Sequence, residues 1–249
     1  MKPQIQIFAD VPALVDAAAK QFIACAQAAI SARGIFQVAL SGGSTPRPLF
    51  ALLASTHRKA LDWEAVRFWW GDERCVPPDH ADSNYRMARE ALLEPLAVPA
   101  MQVARMVGEA PNREGEALRY AGELERALPR DGDAPIFDLM LLGMGADGHT
   151  ASLFPGTGAV KVRDQVVVRA VPPAYVKPAV DRISVTAPVI EAAREIHALI
   201  AGADKAEALV EVLEGTPDLD VRPAGLLRSA RGQVRVFVDA AAAARLSRP

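Results

Sequence analysis

Cysteine is scarce: Cys25 and Cys75 are the only two in 249 residues. They form no metal-binding spacing, and nothing demands a disulfide between them, although two thiols leave one possible. An excess of one charge is missing too. With 28 Lys and Arg against 30 Asp and Glu, the formal net charge is −2. That balance gives no reason to expect nucleic acid or a membrane surface as a partner. No apolar run approaches the roughly 18 residues of a membrane span. The opening MKPQIQIFADVPALVD lacks a signal peptide's unbroken apolar stretch, because Asp10 and Asp16 interrupt it. A soluble cytoplasmic protein is the expectation. Internal repeats and long linkers are also absent, so residues 1–249 are expected to form one α/β domain.

What the chain does have is alternation, and its 51% hydrophobic content suffices for one substantial core. Apolar runs at Ile5–Ala9, Phe36–Leu40, Val66–Trp70, Phe137–Leu142, Val166–Val171, Arg182–Thr186, Ile196–Ala201 and Val234–Asp239 read as strands. Helical patterns lie between them. One starts at Asp10 or Asp16 and stops at Gly34. Others start at Pro46, Ser83, Glu114, Pro188 and Asp204, and the alanine-rich tail reads as a closing helix. The pattern predicts an α/β fold with a Rossmann-like, mostly parallel sheet flanked by helices.

Three of the strands end in polar clusters. Phe36–Leu40 runs into Ser41-Gly42-Gly43-Ser44-Thr45-Pro46. Two glycines, two hydroxyls and a proline suited to the first helical position make a ready anion site. No Gly-Lys-Ser/Thr follows, so it is not a Walker loop. Val66–Trp70 ends in Gly71-Asp72-Glu73-Arg74, where Trp69 and Trp70 draw the charges toward buried surface. The third run ends in Gly143, Gly145 and Gly148, which enclose Asp147 and lead into His149, Thr150 and Ser152. Ligands of open α/β sheets bind at the carboxyl ends of strands. These three ends are expected to converge on one site.

Other motifs point nowhere. Gly143 to Gly148 matches G-x-G-x-x-G, but its following helix meets Pro155-Gly156 within two turns, and no acidic strand end appears about twenty residues on. A dinucleotide is therefore not expected. His80, between Asp79 and Asp82, reads as part of a surface loop, and His197 as a packed core histidine. Neither Ser44 nor Ser152 sits in a G-x-S-x-G elbow.

Together, LSGGSTP (Leu40 to Pro46), WWGDER (Trp69 to Arg74), SNY (Ser83 to Tyr85) and GMGADGHTASLFPG (Gly143 to Gly156) resemble the 6-phosphogluconolactonase family. The segment Lys177 to Ser184 and the Gly202 to Ala206 turn extend the resemblance over nearly the whole chain. It implies a fold shared with glucosamine-6-phosphate deaminases and ribose-5-phosphate isomerases. It also implies hydrolysis of 6-phospho-D-glucono-1,5-lactone to 6-phosphogluconate, without a metal or organic cofactor. On this resemblance His149 is the general base with Asp147 beside it. Arg74 and Lys177 match cationic contacts, and Ser44 and Thr45 with the Gly42 and Gly43 amides match the phosphate turn. Asp72 and Asn84 complete the expected substrate set. The implied partner is a small sugar-phosphate lactone, and the chain is expected as a monomer or small homo-oligomer.

Histidine suits that base role, since its reference pKa of about 6.5 leaves the imidazole largely neutral near pH 7. Water attack on C1 is the expected step, with amides around Gly145 holding the oxyanion. Two other readings compete. A glucosamine-6-phosphate deaminase should offer a glutamate five residues after the histidine, but Phe154 stands there. A non-catalytic sugar-phosphate sensor should carry an appended regulatory module, for which the α/β unit leaves no room.

Overall fold

A computed structural model describes residues 2–247. Its strands are β1 Gln4–Phe8, β2 Phe36–Leu40, β3 Val66–Trp70, β4 Asp72–Arg74, β5 Arg130–Asp131, β6 Ala134–Pro135, β7 Leu139–Leu142, β8 Val167–Ala170, β9 Arg182–Val185, β10 Glu195–Ile200 and β11 Gln233–Asp239. Six of them form one sheet in the order β1-β11-β10-β7-β2-β3, and every neighbouring pair is parallel. The expected architecture is therefore present. β2 and β7 are buried at every position, as parallel strands covered on both faces must be. Alternate residues feed two cores: Val38, Leu40, Leu139 and Leu141 pack on one face, and Ala39, Met140 and Leu142 on the other.

The helix Val11–Arg33 covers the first face. Asp10 begins it, its Oδ1 accepting the Ala13 N–H at 2.9 Å, and Gly34 ends it in the left-handed region at φ 74°. Asp16 lies within it, paired to Lys20. Among the described residues this is the one helix long and apolar enough by composition to cross a membrane, a test that the buried core helix of a folded domain also passes. Leu14, Ala18, Phe22 and Ala26 along it are fully buried in the core.

A second, antiparallel sheet, β4-β9-β8, departs from the expected single alternation. Gly71 is its junction with the first. The Gly71 N–H donates to the Leu40 carbonyl on β2, while its own carbonyl accepts from Val185 at the end of β9. The chain thus leaves the main sheet after Trp70, and Asp72-Glu73-Arg74 become an edge of the smaller one.

Two expected helices do not form. The segment after Gly148 is a series of turns, with Gly148 at φ 80° and Ala151 at φ 47°. The alanine-rich tail is a single 3₁₀ turn, Ala242–Arg245, because Asp239 Oδ1 accepts the Ala242 N–H and folds the chain back against the strand end. Cys25 and Cys75 are both free thiols.

Candidate active site

In the sheet, β2 connects onward to β3 on one side, while β7 has β10 on the other. The β2–β7 boundary is thus a topological switch point, where open α/β sheets place their ligands. A cavity of about 370 Å³ opens there. Gly42, Gly43, Ser44 and Thr45 line it from β2, Asp72, Arg74 and Asn84 from the β3 side, and Gly143, Met144, Gly145 and His149 from β7. The three polar strand ends do converge.

Local geometry explains each position. None of the amides of residues 42–45 donates to a protein acceptor among the described residues, and Pro46 opens the helix Pro46–Ala54 behind them. Unpaired N–H groups at a helix start favour an anion. Gly42 must lack a side chain, because a Cβ there would lie 1.7 Å from Asn84 Oδ1. Asn84 is turned by its Nδ2, which donates to the Asp72 carbonyl at 2.9 Å. Asp72 Oδ2 accepts from Ser152 Oγ at 2.6 Å, tying the β3 end to the histidine loop. Ser184 Oγ in turn accepts the Ser152 N–H, which helps hold the unusual left-handed Ala151.

Glu73 is the joint behind this wall. Its carboxylate accepts the N–H groups of Arg74, Asn84 and Tyr85 and the Ser83 hydroxyl, so it anchors the start of the Asn84 helix. Burial pushes its carboxyl up to about 7, against those backbone donors. The resemblance gave this residue no role.

His149 and Asp147 form a close pair. His149 Nδ1 lies 2.6 Å from Asp147 Oδ1, which also accepts the His149 N–H at 3.1 Å. Gly145 lies beneath: a Cβ on it would fall 2.1 Å from His149 Nδ1. Burial raises the Asp147 carboxyl, but the hydrogen bond and charge of His149 outweigh it and bring it down to about 2. An ionised Asp147 accepts a hydrogen bond from a protonated Nδ1, which leaves Nε2 as the ring's lone-pair nitrogen. Phe154 packs its ring 4.8 Å from the imidazole.

Two expectations fare differently. The Gly145 N–H, expected to hold an oxyanion, already donates to the His149 carbonyl at 2.9 Å. Lys177 is exposed on the loop between β8 and β9 and does not line the cavity. Lys205 lines it instead, with its Nζ 2.7 Å from Asp204. The signal was present: the apolar run of β10 stops at Gly202 just as the runs of β2 and β7 stop at glycines. Three buried side-chain atoms on the cavity's residues, Ser41 Oγ, Arg74 Nε and Asn84 Oδ1, have no hydrogen-bond partner among the described residues. Among the described residues no group of three His, Cys, Asp or Glu side chains is placed to hold a metal ion.

A parallel α/β sheet with an anion-ready turn and a histidine–carboxylate pair at its switch point defines an enzyme site for a small anionic substrate. Comparison with known proteins narrows the class. The family described as glucosamine-6-phosphate isomerases/6-phosphogluconolactonase matches residues 9–236, and the chain belongs to it. It is 39% identical over 229 residues to a 6-phosphogluconolactonase of Synechocystis, covering 92% of each chain. The solved structure of 6-phosphogluconolactonase from Trypanosoma brucei superposes with a TM-score of 0.89 at 34% identity, covering 99% of both chains. A monomeric glucosamine-6-phosphate deaminase shares the fold, with a TM-score of 0.81 at 23% identity over 97% of this chain and 99% of its own.

Proposed function

We propose that the protein hydrolyses 6-phospho-D-glucono-1,5-lactone, with His149 as general base. The observation that carries this reading is the locked imidazole. Asp147 holds Nδ1, and His149 lines a cavity that the phosphate-ready turn also lines. The substrate phosphate would sit on the amides of residues 42–45, with Lys205 and Arg74 supplying cations at the cavity wall. Charge-assisted bonds of that kind hold a dianion firmly, and the binding energy positions C1. His149 Nε2 then takes a proton from water as its oxygen attacks C1. The same proton passes to the ring oxygen as the C1–O bond breaks, giving the free acid. Because the Gly145 amide is engaged, the oxyanion falls to the neighbouring Met144 N–H, which makes no hydrogen bond among the described residues.

Asp72 contributes differently, since a carboxylate repels phosphate. Its partners are Ser152 and Asn84, and its role is to hold the walls together. The packing of Phe154 on His149 favours lactone hydrolysis over deamination, because the position offers an apolar ring and no carboxylate for proton transfer. Proton release from freshly generated lactone at neutral pH, with and without the protein, tests the reading. Acceleration over spontaneous opening is expected, and it should vanish in His149→Ala. Equal rates with and without the wild-type protein would discard it.

A further inference from the structure

We propose that Tyr175 is a positioning residue, its hydroxyl acting through Asp147 to hold His149 with Nδ1 occupied and Nε2 free. The inference rests on the reading of His149 as the base and goes one contact further out. Tyr175 sits in the turn Pro173–Val176, closed by the Val176 N–H to the Pro173 carbonyl at 2.9 Å. From there its hydroxyl donates to Asp147 Oδ2 at 3.0 Å. Asp147 is thereby engaged at every acceptor. Oδ1 takes both His149 groups, Oδ2 takes Tyr175, and the main-chain carbonyl takes Arg222 Nη1 at 2.9 Å.

The ring itself has little reason to be there. Tyr175 is 61% exposed, so burial contributes little to its placement. Its hydroxyl bond to a charged carboxylate is the contact that orders it. Partial desolvation of the hydroxyl, then its hydrogen bond to Asp147 and the charge there, raise the tyrosine's pKa, which keeps it a donor throughout the neutral range. The loop's other end is fixed as well: the buried Arg182 donates to the carbonyls of Pro178 and Val180. Without the tyrosine hydroxyl, Oδ2 has only solvent, and the two His149 contacts at Oδ1 alone hold the carboxylate against rotation. The partner that selects the imidazole's tautomer is then held less firmly.

The test is Tyr175→Phe in the full chain, read in two ways. Steady-state kinetics should show kcat reduced about 3- to 10-fold with KM within about twofold. In an Asp147→Asn background the same change should cost less than about 1.5-fold, because the route through Asp147 is already cut. Nitrogen-15 NMR reads the tautomer directly. The chain has four histidines, and His149→Ala identifies the relevant ring signals. Wild type should show Nδ1 protonated, and Tyr175→Phe a mixture of tautomers. Unchanged ring shifts, or a full kinetic cost in the Asp147→Asn background, would overturn the proposal. Because the NMR reading needs no turnover, it stands or falls separately from lactone hydrolysis.

Discussion

Two histidines in this molecule carry a carboxylate two residues before them: His149 after Asp147 and His197 after Glu195. Both pairs touch, at 2.6 Å and 2.8 Å. Their strands, β7 and β10, are neighbours in the sheet. One pair faces a cavity and the other is sealed. His197 lies inside β10, wholly buried, with its ring 5.3 Å from Phe237. Glu195 is shared there with Arg235 at 2.8 Å. Burial, only partly opposed by Glu195, pushes the His197 pKa below its usual value. The contrast teaches that a histidine–carboxylate pair is not in itself a site. Its height along the strand decides: within the strand it is core, and beyond the carboxyl end it lines the cavity.

Exchanging each imidazole for glutamine breaks the comparison most sharply. His149→Gln should lower kcat by about 10²- to 10⁴-fold, the usual worth of a general base, with thermal stability nearly unchanged. His197→Gln should do the reverse, costing roughly 1–3 kcal/mol in urea unfolding while kcat stays within about twofold of wild type. A large loss of kcat in the second variant would erase the distinction.

Gly145 offers the next largest effect. Its backbone does not require glycine, so alanine is tolerated except for one contact: the Cβ would lie 2.1 Å from His149 Nδ1 and 2.5 Å from Asp147 Oδ1. Moving the pair by an ångström should cost roughly 10- to 100-fold in kcat. His197 has no such glycine beneath it, and a kcat for Gly145→Ala equal to wild type would mean the pair can shift freely.

Two lysines supply a smaller contrast. Lys205→Ala should raise KM for the lactone about 10-fold with kcat little altered, whereas Lys177→Ala should change KM less than about twofold. Reversed values would return the phosphate to the β8–β9 loop.

How much of this was legible before the structure varies by residue for a physical reason. The glycine turns after β2 and β7 are local events: an apolar run, glycines, then hydroxyls or a histidine. So is the Asp147–His149 pair, whose geometry is set within three residues. Lys205 has the same local prelude, but a lysine in a first helical turn also reads as solvent-facing. Only the order of the sheet, which sets β10 beside β7, brings it to the cavity. The second sheet depends on Asp72 pairing with Ser184 across more than a hundred residues, and periodicity carries no trace of that. Glu73 looked like one charge of a run, yet it is buried and anchors the Asn84 helix. Lys177 and Tyr175 share a loop, where sequence position says nothing about direction. The lysine is exposed and does not line the cavity, while the tyrosine reaches the carboxylate.

Acid sharpens the two-histidine comparison with the gentlest effect. His197 is held neutral by the fold, with its pKa depressed below the unfolded value of about 6.5. As pH falls below that value the unfolded chain binds a proton that the native protein refuses, so stability drops with decreasing pH. Asp147, held near 2, also contributes stability that acid removes, but only between about pH 4 and 2, where the unfolded carboxyl protonates first. Glu73 works in the opposite sense: its raised pKa removes stability as pH climbs from about 4.5 toward 7. Urea midpoints of wild type and His197→Gln, compared at pH 7.5 and 5.5, cancel the Glu73 contribution common to both. The gap between the two proteins should narrow at pH 5.5, because only wild type pays for keeping an imidazole neutral. A gap of equal size at both values would place His197 in an environment as tolerant of charge as solvent, and the buried pair would then differ from the cavity pair in position alone.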